Sequence, residues 1–387
     1  MRPPPLRAGP AGRLPALDVA RGVAIALVVL HHAVLHLDAA GLLPAWWRAV
    51  NGELVLLRMP LFFCVSGVLA SSAAGRSWGA LVRGRLVTLL WVFVLWSLVR
   101  FAVFSAVTPR FQPWETDSLV PLLLAPVRPT TGLWYLYALA VFTVAARALG
   151  RRAPWLLVPA ALLSVAASEL WVRAPYYVWH QMARCFVFFL LGWCLRGLLL
   201  RLLTSLGTVP AAVLSAVGAA ALVAHGAGGL RAPGAASALS VLAVVCGLAF
   251  AVLLARAPGV VGAGAGWLGR RTLPVYLAHE LVVGVATSAV VAAAAATGVA
   301  PGVATGVAVG AAGGARPWWA PLLWTVLGVV VPLVLHALAL RVGARWLYEA
   351  PSAVRGAGAS ARRGAGGAGW EPRGAPGAPG PSGRGTP

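Results

Sequence analysis

The chain has 387 residues, of which 60% are hydrophobic and only 10% are charged, and its mean hydropathy is +0.84. This composition excludes an ordinary soluble domain, because a water-facing surface needs far more charged side chains than this chain contains. The net charge is +22, and every basic residue other than histidine is an arginine. Basic chains often bind nucleic acid, but the placement of these arginines fits membrane topology, and we expect no nucleic-acid partner.

Ten apolar runs are each close to the roughly 20 residues that an α-helix needs to cross a bilayer. They lie at 17–37, 53–73, 86–107, 132–148, 154–171, 182–203, 207–225, 236–255, 272–297 and 320–340. We therefore predict an all-α polytopic membrane protein with about ten transmembrane helices, in one membrane domain over residues 16–350. Residues 1–15 and 351–387 are rich in Pro, Gly, Ala and Arg, which predicts disordered ends. The proline-rich connection 108–131 is predicted to lie outside the membrane.

The arginines give the predicted orientation. With a cytoplasmic N-terminus, the connections on the cytoplasmic side hold most of them. The connections on the other side hold only Arg48, Arg110, Arg128, Arg173, Arg231 and Arg316. Because cytoplasmic loops carry an excess of Arg and Lys, we predict that both termini are cytoplasmic. Arginine without lysine, together with abundant Ala and Gly, indicates a GC-rich bacterial genome, so we expect a multi-pass protein of a bacterial plasma membrane.

The first predicted span carries a polar stripe. At about 100° per residue, Asp18, Arg21, His32 and His36 fall within an arc of roughly 60°, whereas His31 points away. Asp18 stands three residues before Arg21, a spacing that favours an ion pair. Arg21 and His32 are about 16 Å apart along the helix, and we predict that they mark two levels of one path. Ionisable residues at membrane depth usually have a function; the alternative is that these groups only satisfy one another in a helix bundle.

His32 is suited to proton transfer. A neutral imidazole, with a pKa near ~6.5, can take a proton from a hydroxyl and return it to a leaving group. His32 can be a general base or can carry the transferred group itself, and the sequence leaves both open.

Arg58 lies at a similar depth in the second span, where it can stabilise an oxyanion or extend to the outer headgroups. In the ninth span, His279 and Glu280 are adjacent and face different directions, and His279 is the candidate for the site.

The four cysteines give no sign of a metal site or a disulfide framework. Each of them, at positions 64, 185, 194 and 246, lies inside an apolar run, and no two have CxxC spacing. A cysteine in such surroundings usually packs as a small hydrophobic residue. We therefore predict no metal.

Four short segments follow one another along the spans. They are Leu17-Asp18-x-x-Arg21 with His32 after ten further residues, Met59-Pro60-Leu61-Phe62-Phe63-x-x-Ser66-Gly67, Leu133-Trp134-Tyr135-Leu136 and Tyr276-Leu277-Ala278-His279. Together they resemble the acyltransferase 3 family of integral-membrane O-acyltransferases, which includes acetylases of O-antigens, Nod factors and exopolysaccharides. The resemblance implies that an acyl group, usually acetyl, passes from acyl-coenzyme A in the cytoplasm to a hydroxyl of a sugar or related acceptor. It also implies that Arg21 and His32 are the essential arginine and histidine.

The same resemblance implies a basic cluster in the inner loop after the second span. The family tends to have R-x-x-R there, whereas this chain has Arg83 and Arg85 in R-x-R spacing, with Arg76 upstream. Guanidinium groups form forked bonds with phosphate oxygens, and coenzyme A carries several phosphates. Arg83 and Arg85 are therefore candidates for binding the donor; the alternative, which we favour for Arg76, is that these residues only set the topology.

Taken together, the sequence predicts a membrane-bound O-acyltransferase. It would move an acyl group, expected to be acetyl, from acyl-coenzyme A to a hydroxyl of a sugar, cell-envelope glycan or glycosylated metabolite. The predicted catalytic residues are His32, Arg21 and Asp18, and the residues predicted to line the site are Arg58, His279 and His36. No bound cofactor is expected, since acyl-coenzyme A is a substrate, and the other partners are the acceptor and the lipid bilayer. The alternative is a proton-coupled transporter or exporter that uses the polar stripe as its path, which does not explain the order of the four segments.

Overall fold

The computed structural model describes residues 14–129, 132–174, 176–229, 232–297 and 316–355. This part of the chain is helical and has no β-strand, which confirms the all-α class. Its helices of ten residues or more are α1 Pro15–Ala39, α2 Trp46–Ala70, α3 Trp78–Val107, α4 Trp134–Leu149, α5 Leu157–Ser168, α6 Tyr177–Cys194, α7 Arg196–Ser205, α8 Thr208–Gly226, α9 Ala235–Arg256, α10 Val260–Gly269, α11 Thr272–Thr297 and α12 Ala320–Arg341. Most of both predicted disordered ends, 1–13 and 356–387, lies outside the described residues.

Within the described residues, seven helices are long and apolar enough to cross a membrane: α1, α2, α3, α8, α9, α11 and α12. The pair α6 and α7 makes an eighth span if it is counted as one element, although its axis bends by 75°. The predicted spans 132–148 and 154–171 coincide with α4 and α5, which have only 16 and 12 residues. The structure confirms a polytopic membrane protein, while ten spans and cytoplasmic termini stay predictions.

The helix with the predicted polar stripe, α1, lies at the centre of the bundle. It packs against α2, α9, α10, α11 and α12, and side chains such as Ala24, Ile25 and Val29 are completely buried. Because neighbouring helices enclose α1, its polar side chains face protein rather than lipid. The bundle can therefore hold charged groups at a depth where a lipid-facing helix could not.

A short helix that the sequence analysis left in a connection, α10, crosses the first turns of α1. Its ten residues include four glycines, which disfavour helix formation in isolation. In the structure they permit close contact: a Cβ at Gly269 would overlap the backbone carbonyl of Asp18, and one at Gly22 would overlap that of Ala265. The crossing fixes the end of α1 that carries Asp18 and Arg21.

Part of the connection after α3 folds back against that helix. It contains a 3-10 turn, Pro113–Glu115, and a short helical turn, Val120–Leu123, and Thr108 and Gln112 adopt left-handed backbone angles with φ of 48° and 52°. These turns bring the Glu115 side chain back onto α3, where it is buried. The loop thus contributes a charged group to the interior of the bundle.

Candidate active site

The polar stripe of α1 borders two separate cavities. The His32 cavity has a volume of about 250 Å³ and lies beside the second half of α1. The Arg21 cavity has a volume of about 650 Å³ and lies beside the first turns of the same helix. Among the described residues, none lines both cavities. The single path predicted from the sequence is therefore divided in this structure.

His32 lies between a carboxylate and a second imidazole. Its Nδ1 atom is buried and lies 3.7 Å from Oε1 of Glu280. Its ring packs edge-on against the ring of His279, with the centroids 4.9 Å apart. A carboxylate next to Nδ1 favours the tautomer that has its proton there and a lone pair on Nε2. Since Nδ1 is buried and His32 lines the cavity, Nε2 is the atom available for general-base chemistry.

His279 supports His32 from behind. It is completely buried, and its Nδ1 donates to the backbone carbonyls of Val275 and Tyr276 at 3.0 and 2.8 Å. These bonds fix the orientation of the ring and leave Nε2 without a proton in the neutral form. His279 does not line the His32 cavity, so it contacts the site through His32 rather than directly.

Glu280 connects α1 to a buried ion-pair network. Its Oε1 atom is also 3.9 Å from Nε2 of His36, and its Oε2 atom is 2.6 Å from the Arg100 guanidinium. Arg100 makes a second contact of 2.6 Å with Glu115. All of these side chains are buried, and buried charges are tolerated when they are paired. Glu280 therefore links the two histidines of α1 to Arg100 and, through Arg100, to Glu115.

The sequence analysis missed part of this network. The sequence analysis chose only His279 of the adjacent pair for the site, whereas in the structure both His279 and Glu280 contact His32. Arg100 is a lone charge in the apolar run 86–107, and the signal that identified Arg58 would have found it too. Glu115 gave no signal, because a carboxylate in a loop is ordinary and its burial depends on how the loop folds.

Arg58 lies in the wall of the His32 cavity, at the depth predicted from the sequence. It is only 4% exposed, and its guanidinium donates to the side-chain and backbone oxygens of Asn51 at 2.8 and 3.2 Å. These contacts hold Arg58 inside the protein, against the alternative that it extends to the headgroups. His31 donates from Nδ1 to the same Asn51 side chain at 3.1 Å and lines the same cavity. The prediction that His31 points away is therefore wrong, because the polar face of α1 is wider than the stripe.

A hydrogen-bonded pair lies between the two cavities. The Ser66 and Tyr135 hydroxyl oxygens are 2.5 Å apart, and the Tyr135 backbone N–H donates to the Tyr276 hydroxyl at 3.2 Å. On α2, Ser66 lies between Met59, which lines the His32 cavity, and Val68, which lines the Arg21 cavity. Along α2, the Ser66 and Tyr135 pair therefore lies at a level between the residues that line the two cavities.

The Arg21 cavity is strongly basic. Arg21 donates to the Thr272 hydroxyl at 2.7 Å, and Asp18 lies 3.7 Å from the Arg270 guanidinium. The predicted ion pair between Asp18 and Arg21 is therefore wrong, because the crossing of α10 brings Arg270 to Asp18. Four arginines line this cavity: Arg21, Arg76, Arg196 and Arg270.

The two arginines predicted to bind the donor lie on one turn of π-helix, Val82–Leu86, within α3. Arg85 is half-buried and close enough to Arg21 and Arg76 to interact with them electrostatically. Arg83 is exposed, and neither side chain lines the Arg21 cavity. Arg76, which the sequence analysis assigned to topology, does line it.

His32 thus lines a cavity inside a bundle of helices that are apolar enough to cross a membrane, and the buried Glu280 carboxylate lies near its ring. The chain belongs to the acyltransferase 3 family, since the family's acyltransferase domain matches residues 14–341. The match covers all twelve helices, α1 to α12. It confirms the resemblance drawn from the four sequence segments and identifies a membrane acyltransferase family.

One similar protein is the inner membrane protein YcfT of Escherichia coli (strain K12). It is 28% identical over 153 residues, which cover 34% of this chain and 43% of YcfT. The match thus spans less than half the length of that relative. No solved structure matches the chain.

Proposed function

We propose that this protein transfers an acyl group, expected to be acetyl, from acyl-coenzyme A to a hydroxyl of a sugar or glycoconjugate in a bacterial plasma membrane. Membership of the family supports acyltransferase activity in general. The observation that carries the proposal is the placement of His32, whose Nδ1 atom lies against Glu280 while the residue lines a cavity. An imidazole placed in this way can deprotonate a hydroxyl.

The Arg21 cavity suits the donor. It is lined by four arginines and lies at the end of α1 that the arginine distribution predicts to be cytoplasmic. Guanidinium groups bind phosphate oxygens by forked, charge-assisted hydrogen bonds, and acyl-coenzyme A carries its phosphates at the end remote from the thioester. Asp18 supports this site by its contact with Arg270, and Arg85 adds positive charge nearby.

The acyl group must then reach His32, about 16 Å from Arg21 along the helix. The flexible arm of coenzyme A is suited to this distance, because the phosphates can stay in the Arg21 cavity while the thioester extends along α2. The Ser66 and Tyr135 hydroxyls lie on this route. On this route, the hydrogen bond between the two hydroxyls has to break before the thioester can reach His32.

The transfer exchanges a C–S bond for a C–O bond. Nε2 of His32 takes the proton of the acceptor hydroxyl, and the oxygen forms a bond to the thioester carbonyl carbon. The C–S bond then breaks, and the thiolate receives the proton from His32. Glu280 stabilises the imidazolium that forms between these steps, and Arg58 in the same wall can stabilise the oxyanion. A route through an acyl-histidine would use the same Nε2 atom.

The test is release of free coenzyme A from acetyl-coenzyme A by the purified protein in detergent, with a panel of sugar acceptors. A transporter without a gradient would not consume the donor, so acceptor-dependent release separates the two functions. Arg21→Gln should raise the KM for acetyl-coenzyme A by about tenfold or more, as expected for loss of a charge-assisted hydrogen bond. Arg201→Gln is the matched control, because Arg201 is exposed on the same predicted side and does not line the cavity.

Two results would contradict the proposal. One is the absence of both donor turnover and donor binding in a folded preparation. The other is an equal effect of Arg21→Gln and Arg201→Gln on donor affinity, which would show that the Arg21 cavity does not bind the donor.

A further inference from the structure

A second cleft adjoins the His32 cavity. We call it the Trp114 cleft; its volume is about 320 Å³, and it lies between the connection after α3 and the start of α6. Gln112 and Tyr177 line both this cleft and the His32 cavity. The two spaces are therefore neighbours, and a molecule bound in the cleft would have one end beside His32.

The walls of the cleft present aromatic rings to solvent. Trp114 and Tyr177 are 53% and 55% exposed, and Tyr176 lies beside them. Exposed aromatic residues of membrane proteins often form an interfacial belt that faces lipid, but these line a concave space next to the candidate site. A sugar ring has an apolar C–H face and a polar rim, and amphipathic aromatic side chains match that combination.

Arg128 gives the cleft a positive charge. Its guanidinium lies over the Tyr176 ring, 4.8 Å from the centroid, and the side chain is exposed. Among the described residues, no carboxylate forms an ion pair with it. The carboxylate that also borders the cleft, Glu115, is engaged by Arg100 at 2.6 Å.

The position of Arg128 is unusual for this chain. It is one of the few arginines on the side that the distribution predicts to be outside, where topology gives no reason for a positive charge. Stacking on a tyrosine orients a guanidinium while leaving its N–H donors available for a planar anion. Carboxylate and phosphate groups both fit such donors.

We infer that the Trp114 cleft binds the acyl acceptor, and that this acceptor is a sugar unit carrying a carboxylate or phosphate group. Arg128 binds the anionic group, the sugar ring packs on Trp114 and Tyr177, and a hydroxyl at the other end reaches His32 past Gln112. The inference rests on the proposed function, because it makes the cleft the acceptor side of the same reaction. It adds the charge of the acceptor, which the family resemblance leaves open.

The experiment measures equilibrium binding of small sugars to the purified protein in nanodiscs of zwitterionic lipid, so that its readout does not depend on turnover. The probes are methyl glucoside, methyl glucuronoside and glucose 6-phosphate, and short-chain phosphatidylglycerol serves as the anionic lipid probe. We expect both anionic sugars to bind about tenfold or more tightly than the neutral sugar, the difference that one charge-assisted hydrogen bond supplies. Arg128→Gln should remove this preference. Arg110→Gln should keep it, because Arg110 is exposed in the same connection but does not line the cleft.

Each other outcome overturns the inference. Equal binding of neutral and anionic sugars would show that the cleft does not select for charge. A preference that survives Arg128→Gln would show that Arg128 does not cause it. Binding of the phosphatidylglycerol probe without binding of any sugar assigns the cleft to lipid. Failure of all sugars to bind, in a protein that still releases coenzyme A from acetyl-coenzyme A, overturns this inference and leaves the proposed function standing.

Discussion

Among single residues, Glu280 connects more of the site than any other described side chain. One of its oxygens lies near Nδ1 of His32 and Nε2 of His36, and the other contacts Arg100. A carboxylate in this position holds an imidazole in the productive tautomer and stabilises the imidazolium. Its contribution to the rate should therefore be separable from its contribution to stability.

Glu280→Gln should lower kcat for acetyl transfer by about 10²- to 10⁴-fold, because an amide can hold the wrong tautomer of His32 and carries no charge. It should also destabilise the protein, since Arg100 loses one of its two carboxylates. Glu115→Gln is the matched control, because it removes the other carboxylate at the same 2.6 Å distance without touching His32. Coenzyme A release and thermal unfolding of both variants provide the measurement. Equal loss of kcat in the two variants would show that Glu280 acts only through stability.

The site residues differ in how well the sequence predicts them. His32 and Arg58 could be predicted because an ionisable residue in an apolar run is costly unless it has a use. Arg100 meets the same criterion in the run 86–107. Glu115 could not be predicted, because its contact with α3 depends on the fold of the loop between them. The ion pair of Asp18 with Arg270 likewise depends on α10, which the hydropathy pattern does not reveal.

At the level of helices, the crossing of α1 and α10 determines where the Arg21 cavity lies. Gly269 contacts the backbone of α1 so closely that no Cβ fits between it and the carbonyl of Asp18. Gly264 is in the same helix, and a Cβ there would meet no other atom within contact distance. The two positions form a matched pair for testing the crossing.

Gly269→Ala should destabilise the protein by about 1–3 kcal/mol, because an added methyl group must push two backbones apart. Gly264→Ala should leave stability unchanged or raise it by up to about 1 kcal/mol, because alanine favours the helix and nothing obstructs it. Thermal unfolding in one detergent measures both. If Gly269→Ala is as stable as Gly264→Ala, the close crossing does not exist in solution.

The long helices were predictable because a bilayer sets their length and their hydropathy. The predicted spans 207–225, 236–255, 272–297 and 320–340 each overlap one helix closely, namely α8, α9, α11 and α12. The short helices were not predictable in the same way. α10 is rich in glycine and too short to span, and the 75° bend after Cys194 falls inside an apolar run that contains no proline.

At the level of the whole molecule, the notable feature is the division of the polar interior into two cavities. The predicted path along α1 treats Arg21 and His32 as two levels of one channel. In the structure, side chains from α2, α4 and α11 meet between the cavities, and no pattern within α1 could show that. Two separate cavities fit the proposal that the donor binds in the Arg21 cavity and the acceptor hydroxyl reaches the His32 cavity.

The most direct test of the proposed active site is the rate of acetyl transfer by His32→Ala in a folded protein. Purified parent and variant are compared by coenzyme A release at saturating acetyl-coenzyme A, with donor binding and thermal unfolding measured on the same samples. His336→Ala is the control, because His336 lies on α12, packs against Tyr348 and lines neither cavity. We predict that His32→Ala binds the donor normally and loses transfer by about 10²- to 10⁴-fold or more, whereas His336→Ala keeps it. Transfer at the parental rate by a folded His32→Ala protein would contradict the assignment of the active site.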